Sequence, residues 1–277
     1  MIIMHSMAMH DALPANKKRT TGRRPSLADT LPEGQLVNRS WLKSRGFDRP
    51  LVDYYLRTGA LQAVTRGVYR RPGPPLKWEH VVYSLQELDY DIHVGGRSAL
   101  ELQGLAHYVA KQRRFRIDLY SPVKLPSWVS KLDLPYQFVG HHLKLFEAMP
   151  EEALTTTPFG HWDWPIRYAT WELAFLELLA KTESPAEFDY ADKLFEGASV
   201  MRPWLIQKLL EACSNVKAKR LFLWFSRRHN HLWFAKLETR KIDLGRGKRM
   251  IVRGGALDTE YLITVPRDMI DDGEPIF

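Results

Sequence analysis

The chain has 277 residues, 45% hydrophobic and 26% charged, a balance that supports a sizeable core and excludes a disordered or fibrous protein. No run approaches the ~18 apolar residues that span a bilayer. The start lacks the basic region of a secretory signal, and the single cysteine, Cys213, excludes an internal disulfide and a cysteine-built zinc site, so a cytoplasmic setting is expected.

The formal charge is +8, and residues 1–75 hold 13 of the 40 Lys/Arg but 5 of the 32 Asp/Glu. The whole basic excess therefore lies in the first quarter of the chain, the footprint of a module that binds a phosphate backbone. A basic face can also be a solvated protein-docking surface.

Residues 1–25 are polar and aperiodic, which predicts a disordered arm. Its KKRTTGRR run, 17–24, could lie along a minor groove or only solubilise. Residues 26–34 predict a short leading helix. From Gln35 to Gly73 the chain reads QLVNRSWLKSRGFDRPLVDYYLRTGALQAVTRGVYRRPG. Asn38 can cap a short helix that Gly46 ends, and Asp48 can cap a second with Pro50 in its first turn. In the second helix Leu51, Val52, Tyr55 and Leu56 share one face; Arg49, Asp53, Tyr54 and Arg57 share the other. Gly59 stops it. Residues 61–64 and 68–71 then flank a turn at Thr65-Arg66-Gly67, a hairpin signal. Helix, tight turn, helix and basic hairpin make a winged helix-turn-helix, whose second helix enters the DNA major groove.

Arg71-Pro72-Gly73-Pro74-Pro75 prevents regular structure and reads as a domain boundary. Beyond it a helix is predicted over 76–88, a short strand over 92–94 and a helix over 97–104. Residues 114–120 alternate as a half-buried strand, with Phe115, Ile117 and Leu119 on one side and Arg116, Asp118 and Tyr120 on the other. Further strands are predicted over 134–139, 142–146 and 165–169, in an antiparallel or mixed sheet. Helices follow over 171–179, 185–199, 203–213 and 217–228, a bundle packed on the sheet. A hairpin is predicted from 249–253 and 259–266, turning at Gly254-Gly255. The expected fold class is α+β. A winged helix-turn-helix (26–73) follows the arm (1–25) and precedes a larger mixed α/β domain (76–277) of sheet plus helical bundle, with a candidate sub-boundary near 169.

Few residues carry chemistry. Gly95-Gly96 stands between strand and helix but lacks the spacing of a phosphate loop, so a tight turn with close packing is expected. Arg228-His229-Asn230-His231 is a short string at a helix end, where histidines suit the dipole. Asp118 could open a nuclease motif, yet no Glu-x-Lys follows it. Cys213, near Glu211, is not expected to be an activated thiol. Gly245-Arg246-Gly247-Lys248-Arg249 reads as an exposed basic loop, with phosphate contact as the lesser option. No catalytic residue, metal ligand or cofactor is assigned.

The stretch ending LRTGALQAVTRGVYRRPG resembles the start of the AbiEi antitoxins of type IV toxin–antitoxin (abortive infection, phage-defence) systems. HVGGRSALELQGLAHYV, from His93 to Val109, and KRLFLWFSRRHNHLWFAKLETRKIDLGRGKRMIVRGGALDTEYLITVP, from Lys219 to Pro266, are similar to the same family. The resemblance implies a winged helix that binds inverted repeats in double-stranded DNA of its own promoter and represses the operon. It implies a C-terminal domain that counters a nucleotidyltransferase toxin without a stable complex. Arg49, Asp53, Tyr54 and Arg57 would form the reading face, with Arg66 at the wing tip. Lys43, Arg45, Arg70 and Arg71 would touch phosphates, and Arg39 completes the candidate set. Antitoxicity would be sought in 95–107 and 220–255. Two other readings stand beside this one. One is a nucleic-acid-processing enzyme with a metal at Asp118 or at His229 and His231. The other is a protein-interaction scaffold using the Trp-rich surface of 170–235.

Overall fold

The computed structural model describes residues 26–105 and 115–270. The basic arm expected over 1–25 and the end of the 95–107 stretch lie outside these residues. The described chain is a mixed α+β protein.

The first group of elements is α1 (Leu27–Thr30), β1 (Val37–Asn38), α2 (Arg39–Ser44), α3 (Arg49–Arg57), β2 (Gln62–Thr65) and β3 (Val68–Arg70). Local signals account for it. The Asn38 side chain accepts the Trp41 N–H at 2.8 Å and Asp48 accepts that of Leu51 at 3.0 Å, each satisfying a donor that a helix start leaves open. Gly46, at φ +86°, takes the left-handed turn between the helices, a conformation that costs a side-chain-bearing residue more. The strands pair antiparallel in the order β1-β3-β2. Leu31, Val37, Trp41, Leu42, Phe47, Val52, Leu61 and Tyr69 form the core beneath.

The second group is built on a five-stranded sheet of order β6-β5-β4-β8-β7. Its strands are β4 (His93–Val94), β5 (Phe115–Ser121), β6 (Tyr136–His142), β7 (Leu154–Phe159) and β8 (Trp164–Ala169), with β5–β6 and β4–β8 parallel and the other pairs antiparallel. Helix α4 (Trp78–Glu87) shares a core with Ile117, Leu119 and Ile166 of the sheet. Asp118 and Tyr120 point the opposite way, toward α5 (Gly96–Leu102) and α6 (Trp171–Lys181). The helical layer continues with α7 (Pro185–Glu196), α8 (Pro203–Ala212) and α9 (Val216–Arg228), which enclose the larger core. Among the described residues no helix is long and apolar enough to cross a membrane.

Three expectations are corrected, and one strand, β7, was not expected at all. Strand β5 is not half-buried: helices cover both faces, and every residue from Ile117 to Ser121 is buried. Residues 134–146 do not form two strands. One strand runs through Gly140, where a Cβ would lie 2.8 Å from Leu125, and Leu145 and Phe146 belong to the helical core. Strand β7 carries no alternation because it is an exposed edge bearing Pro158. The last hairpin pairs β9 (Ala256–Asp258) with β10 (Ile263–Val265), so its turn lies at 259–262 rather than at the glycine pair. Gly255 instead lies so close to the Val265 carbonyl that a Cβ would come within 2.3 Å.

Arg220 is the largest surprise in this part of the chain. It reads as part of a basic helix face, yet it is 1% exposed. Its guanidinium donates to the carbonyls of Gly247 at 2.7 Å, Leu244 at 2.8 Å, Leu262 at 3.1 Å and Gly245 at 3.3 Å. The planar fork thus ties the 244–247 loop and the final hairpin to α9. We predict that Arg220→Met, which leaves those carbonyls without donors, costs at least about 3 kcal/mol in urea unfolding. Arg220→Lys keeps the charge but not the fork and should also be clearly destabilised. A loss under about 1 kcal/mol in Arg220→Met would show that the anchor is dispensable.

Candidate nucleic-acid interface

Helix α3 has two unlike faces. Val52 is buried, and Leu51, Tyr55 and Leu56 pack on the module core. On the outer side Arg49 and Arg57 are exposed, and Tyr54 is 51% exposed with its ring edge-on to Tyr55. Asp53 sits between two guanidiniums, 3.8 Å from Arg49 on its own helix and 3.8 Å from Arg39 on α2. Pairs this long and this exposed contribute little stability. Arg39 also donates to the Tyr69 hydroxyl at 3.3 Å, which links α2, α3 and β3 across one surface.

The remaining candidates divide. Lys43 is exposed on α2, and the Arg45 guanidinium lies 3.7 Å from the centre of the Trp41 ring. Arg66 is exposed beside Gly67, which turns the β2–β3 hairpin at φ +80°. Arg70 donates to the Pro74 carbonyl at 3.1 Å. Arg71 donates to the carbonyls of Ala28 and Leu31, at 3.3 and 3.2 Å, and lies 3.6 Å from Glu33. It clasps α1 to the end of the hairpin. Tyr69 and Glu33, which hold Arg39 and Arg71, carry no sequence motif. Their partners lie 30 and 38 residues away.

The groups that suggested metal or nucleophile chemistry are engaged in the fold. Asp118 is 1% exposed and receives hydrogen bonds from Arg116 at 2.6 Å and from Ser98 at 3.0 Å; His141 Nε2 lies 2.6 Å from it. Burial works against its charged form, but the bonds from His141 and Arg116 outweigh it and hold the carboxyl below its usual range. His229 pairs with Asp192 at 2.8 Å, while His231 bonds the Phe195 carbonyl at 2.7 Å and is pushed down by burial. The two histidines therefore have separate structural partners. Among the described residues no group of three or more His, Cys, Asp or Glu could hold a metal ion. Cys213 is buried and its thiol is raised by that burial, not by Glu211 as expected. Trp224 and Trp233, counted toward an interaction surface, are buried in the core; Trp204 is half-exposed.

Residues 114–266 match a family model described as transcriptional regulator, AbiEi antitoxin, type IV TA system. Residues 23–111 match one described as transcriptional regulator, AbiEi antitoxin N-terminal domain. No curated protein matches the chain. Among solved structures, the crystal structure of the RV2827C protein from Mycobacterium tuberculosis superimposes with a TM-score of 0.49 at 16% identity, covering 83% of this chain and 85% of that one.

The depressed Asp118 carboxyl sets a pH dependence. A group whose folded pKa lies below its unfolded value contributes stability above the unfolded value and loses it as pH falls through the folded one. Urea unfolding between about pH 7 and pH 3 should therefore show stability dropping below roughly pH 4. Asp118→Asn should be less stable at neutral pH, with the gap to the parent closing in acid. Two parallel curves would contradict the assigned role of the carboxylate.

Proposed function

The chain belongs to the AbiEi antitoxin family of type IV toxin–antitoxin systems, described as transcriptional regulators, and from that premise we propose that it is a DNA-binding autorepressor. In this reading residues 26–73 are a winged helix-turn-helix. Helix α3 lies in the major groove of inverted repeats upstream of its own gene, and the β2–β3 hairpin is the wing. Residues 76–277 form the antitoxin domain, which counters a nucleotidyltransferase toxin without a lasting complex. The activity is regulatory rather than enzymatic, and its DNA target puts the protein in the cytoplasm.

The observation that carries the reading is the outer face of α3. Arg49, Asp53, Tyr54 and Arg57 are turned away from a core that holds the opposite face, on a segment, 26–73, with eight Lys/Arg against four Asp/Glu. Arginine and tyrosine on an exposed helix face suit base edges and sugar-phosphate. Asp53 lies between Arg39 and Arg49 and offsets one of their two charges, so the face keeps a net positive charge toward the phosphates. Lys43, Arg45 and Arg66 flank that face as phosphate contacts. Arg70 and Arg71 act mainly in shaping the module.

Fluorescence anisotropy on the DNA upstream of the gene tests the assignment. Arg49→Ala or Arg57→Ala should weaken specific binding roughly ten- to a hundredfold, the value of one base-reading side chain. Lys43→Ala should weaken binding to all sequences alike and reduce the salt slope by about one. Unchanged affinity in both arginine variants would remove α3 as the recognition helix.

A further inference from the structure

On the side of the sheet away from α4, a cleft of about 1150 Å³ opens between β5, β6 and helices α5, α6 and α7, lined among others by Arg97, Arg116, Tyr120, His141, Lys181 and Tyr190. It is on the scale of a small-molecule site rather than a packing defect. Two carboxylates, Asp118 on its lining and Glu101 beside it, are each committed to one arginine. Asp118 takes Arg116 through Nε at 2.9 Å and Nη2 at 2.6 Å. Glu101 takes Arg97 Nε at 2.6 Å and the Tyr190 hydroxyl at 2.8 Å, while the Tyr190 ring lies 4.4 Å from the Arg97 guanidinium. These contacts fix both guanidiniums. They leave Arg116 Nη1 and both Nη groups of Arg97 without a hydrogen bond to any described residue, on side chains 39% and 29% exposed.

Tyr120 adds an independent observation. It is 4% exposed, its ring stacked between His141 at 4.6 Å and His93 at 5.9 Å. Its hydroxyl lies over Gly96, where a Cβ would come within 2.5 Å of the oxygen, so the glycine admits it. The hydroxyl forms no hydrogen bond with any described residue, and Tyr120 lines the cleft. Burial keeps this phenol protonated and therefore a donor. The acids facing the cleft from α7 are occupied in part: Glu187 accepts the N–H groups of Glu183 and Ser184, and Asp189 accepts from Lys193; Glu196 is exposed at the rim. What the floor of the cleft still offers is donors on rigid supports, with Lys181 exposed beside them.

We propose that this cleft binds the phosphate group of a small phosphate ester of nucleotide size, clamped by Arg97 and Arg116 with the Tyr120 hydroxyl donating to one oxygen. Carboxylate-pinned guanidiniums present their Nη edges to an oxyanion with little loss of freedom. The proposal is separate from the DNA reading and stands or falls without it.

Calorimetric titration of the full-length protein with inorganic phosphate and with adenosine monophosphate tests it. Both should bind, the ester more tightly. Tyr120→Phe deletes only a hydroxyl that bonds no described residue, so the unliganded melting temperature should hold while affinity falls about tenfold, the value of one hydrogen bond to a charged group. Arg97→Gln should weaken binding further, and Arg49→Ala, on the DNA module, should leave it unchanged. The proposal is overturned if neither compound binds, if Tyr120→Phe binds as tightly as the parent, or if Arg49→Ala abolishes binding and so places the phosphate on the basic module.

Discussion

The hydroxyl of Ser84 joins the two ends of this architecture. It accepts the Leu36 N–H at 2.7 Å and donates to the His80 carbonyl within α4, with no exposure to solvent. Around it Leu36 and Val68 pack into the same core as Val81, Val82 and Leu85 of α4 and Ile117 of the sheet. Gly34, at φ +91°, lies so close to His80 that a Cβ would stand 2.4 Å from the ring. The basic module is therefore seated on the sheet through α4. The outer face of α3 thus has a fixed direction, with Arg49 and Arg57 exposed on it.

Cations serve three purposes in this chain, and charge alone does not separate them. Arg220 and Arg71 spend their donors on backbone carbonyls and act as staples. Arg202 closes on the buried Glu172, whose carboxyl it holds below the ordinary range against the opposing effect of burial. Arg49, Arg57 and Arg66 remain on the surface. A guanidinium with five fixed donors can satisfy several carbonyls at once, which suits Arg220 to a site where the loop carrying Gly245 and Gly247 meets the last hairpin. That loop keeps Arg246, Lys248 and Arg249 exposed, as its glycine spacing suggests, because its carbonyls are turned inward.

Features written in short-range chemistry were legible in the sequence. Asn38, Gly46, Asp48 and Pro50 sit where capping rules put them, and the helices that open at Pro185 and Pro203 begin at those residues. Features set by distant partners were not. Gly140 reads as a break but lies within a strand, because its role is to admit Leu125. Asp118 reads as half of a metal motif, whereas the fold supplies Ser98 and His141 as its partners. The cleft has no linear signature, because its donors come from positions 97, 116, 120 and 181 and become one site only when α5, β5 and α6 are packed. Of the interface, the two faces of α3 could be read from helical spacing. The tether that holds Arg71 could not, since its acceptors are the carbonyls of Ala28 and Leu31, 43 and 40 residues earlier.

The most direct test is a mobility shift of the full-length protein on the DNA upstream of its own gene, with scrambled competitor and a salt titration. The account predicts a discrete complex that resists competitor and retains specific affinity as salt rises, since base contacts add to the phosphate term. Binding that scrambled DNA displaces completely, and that disappears with salt, would contradict it and leave the basic module as a docking surface for another macromolecule.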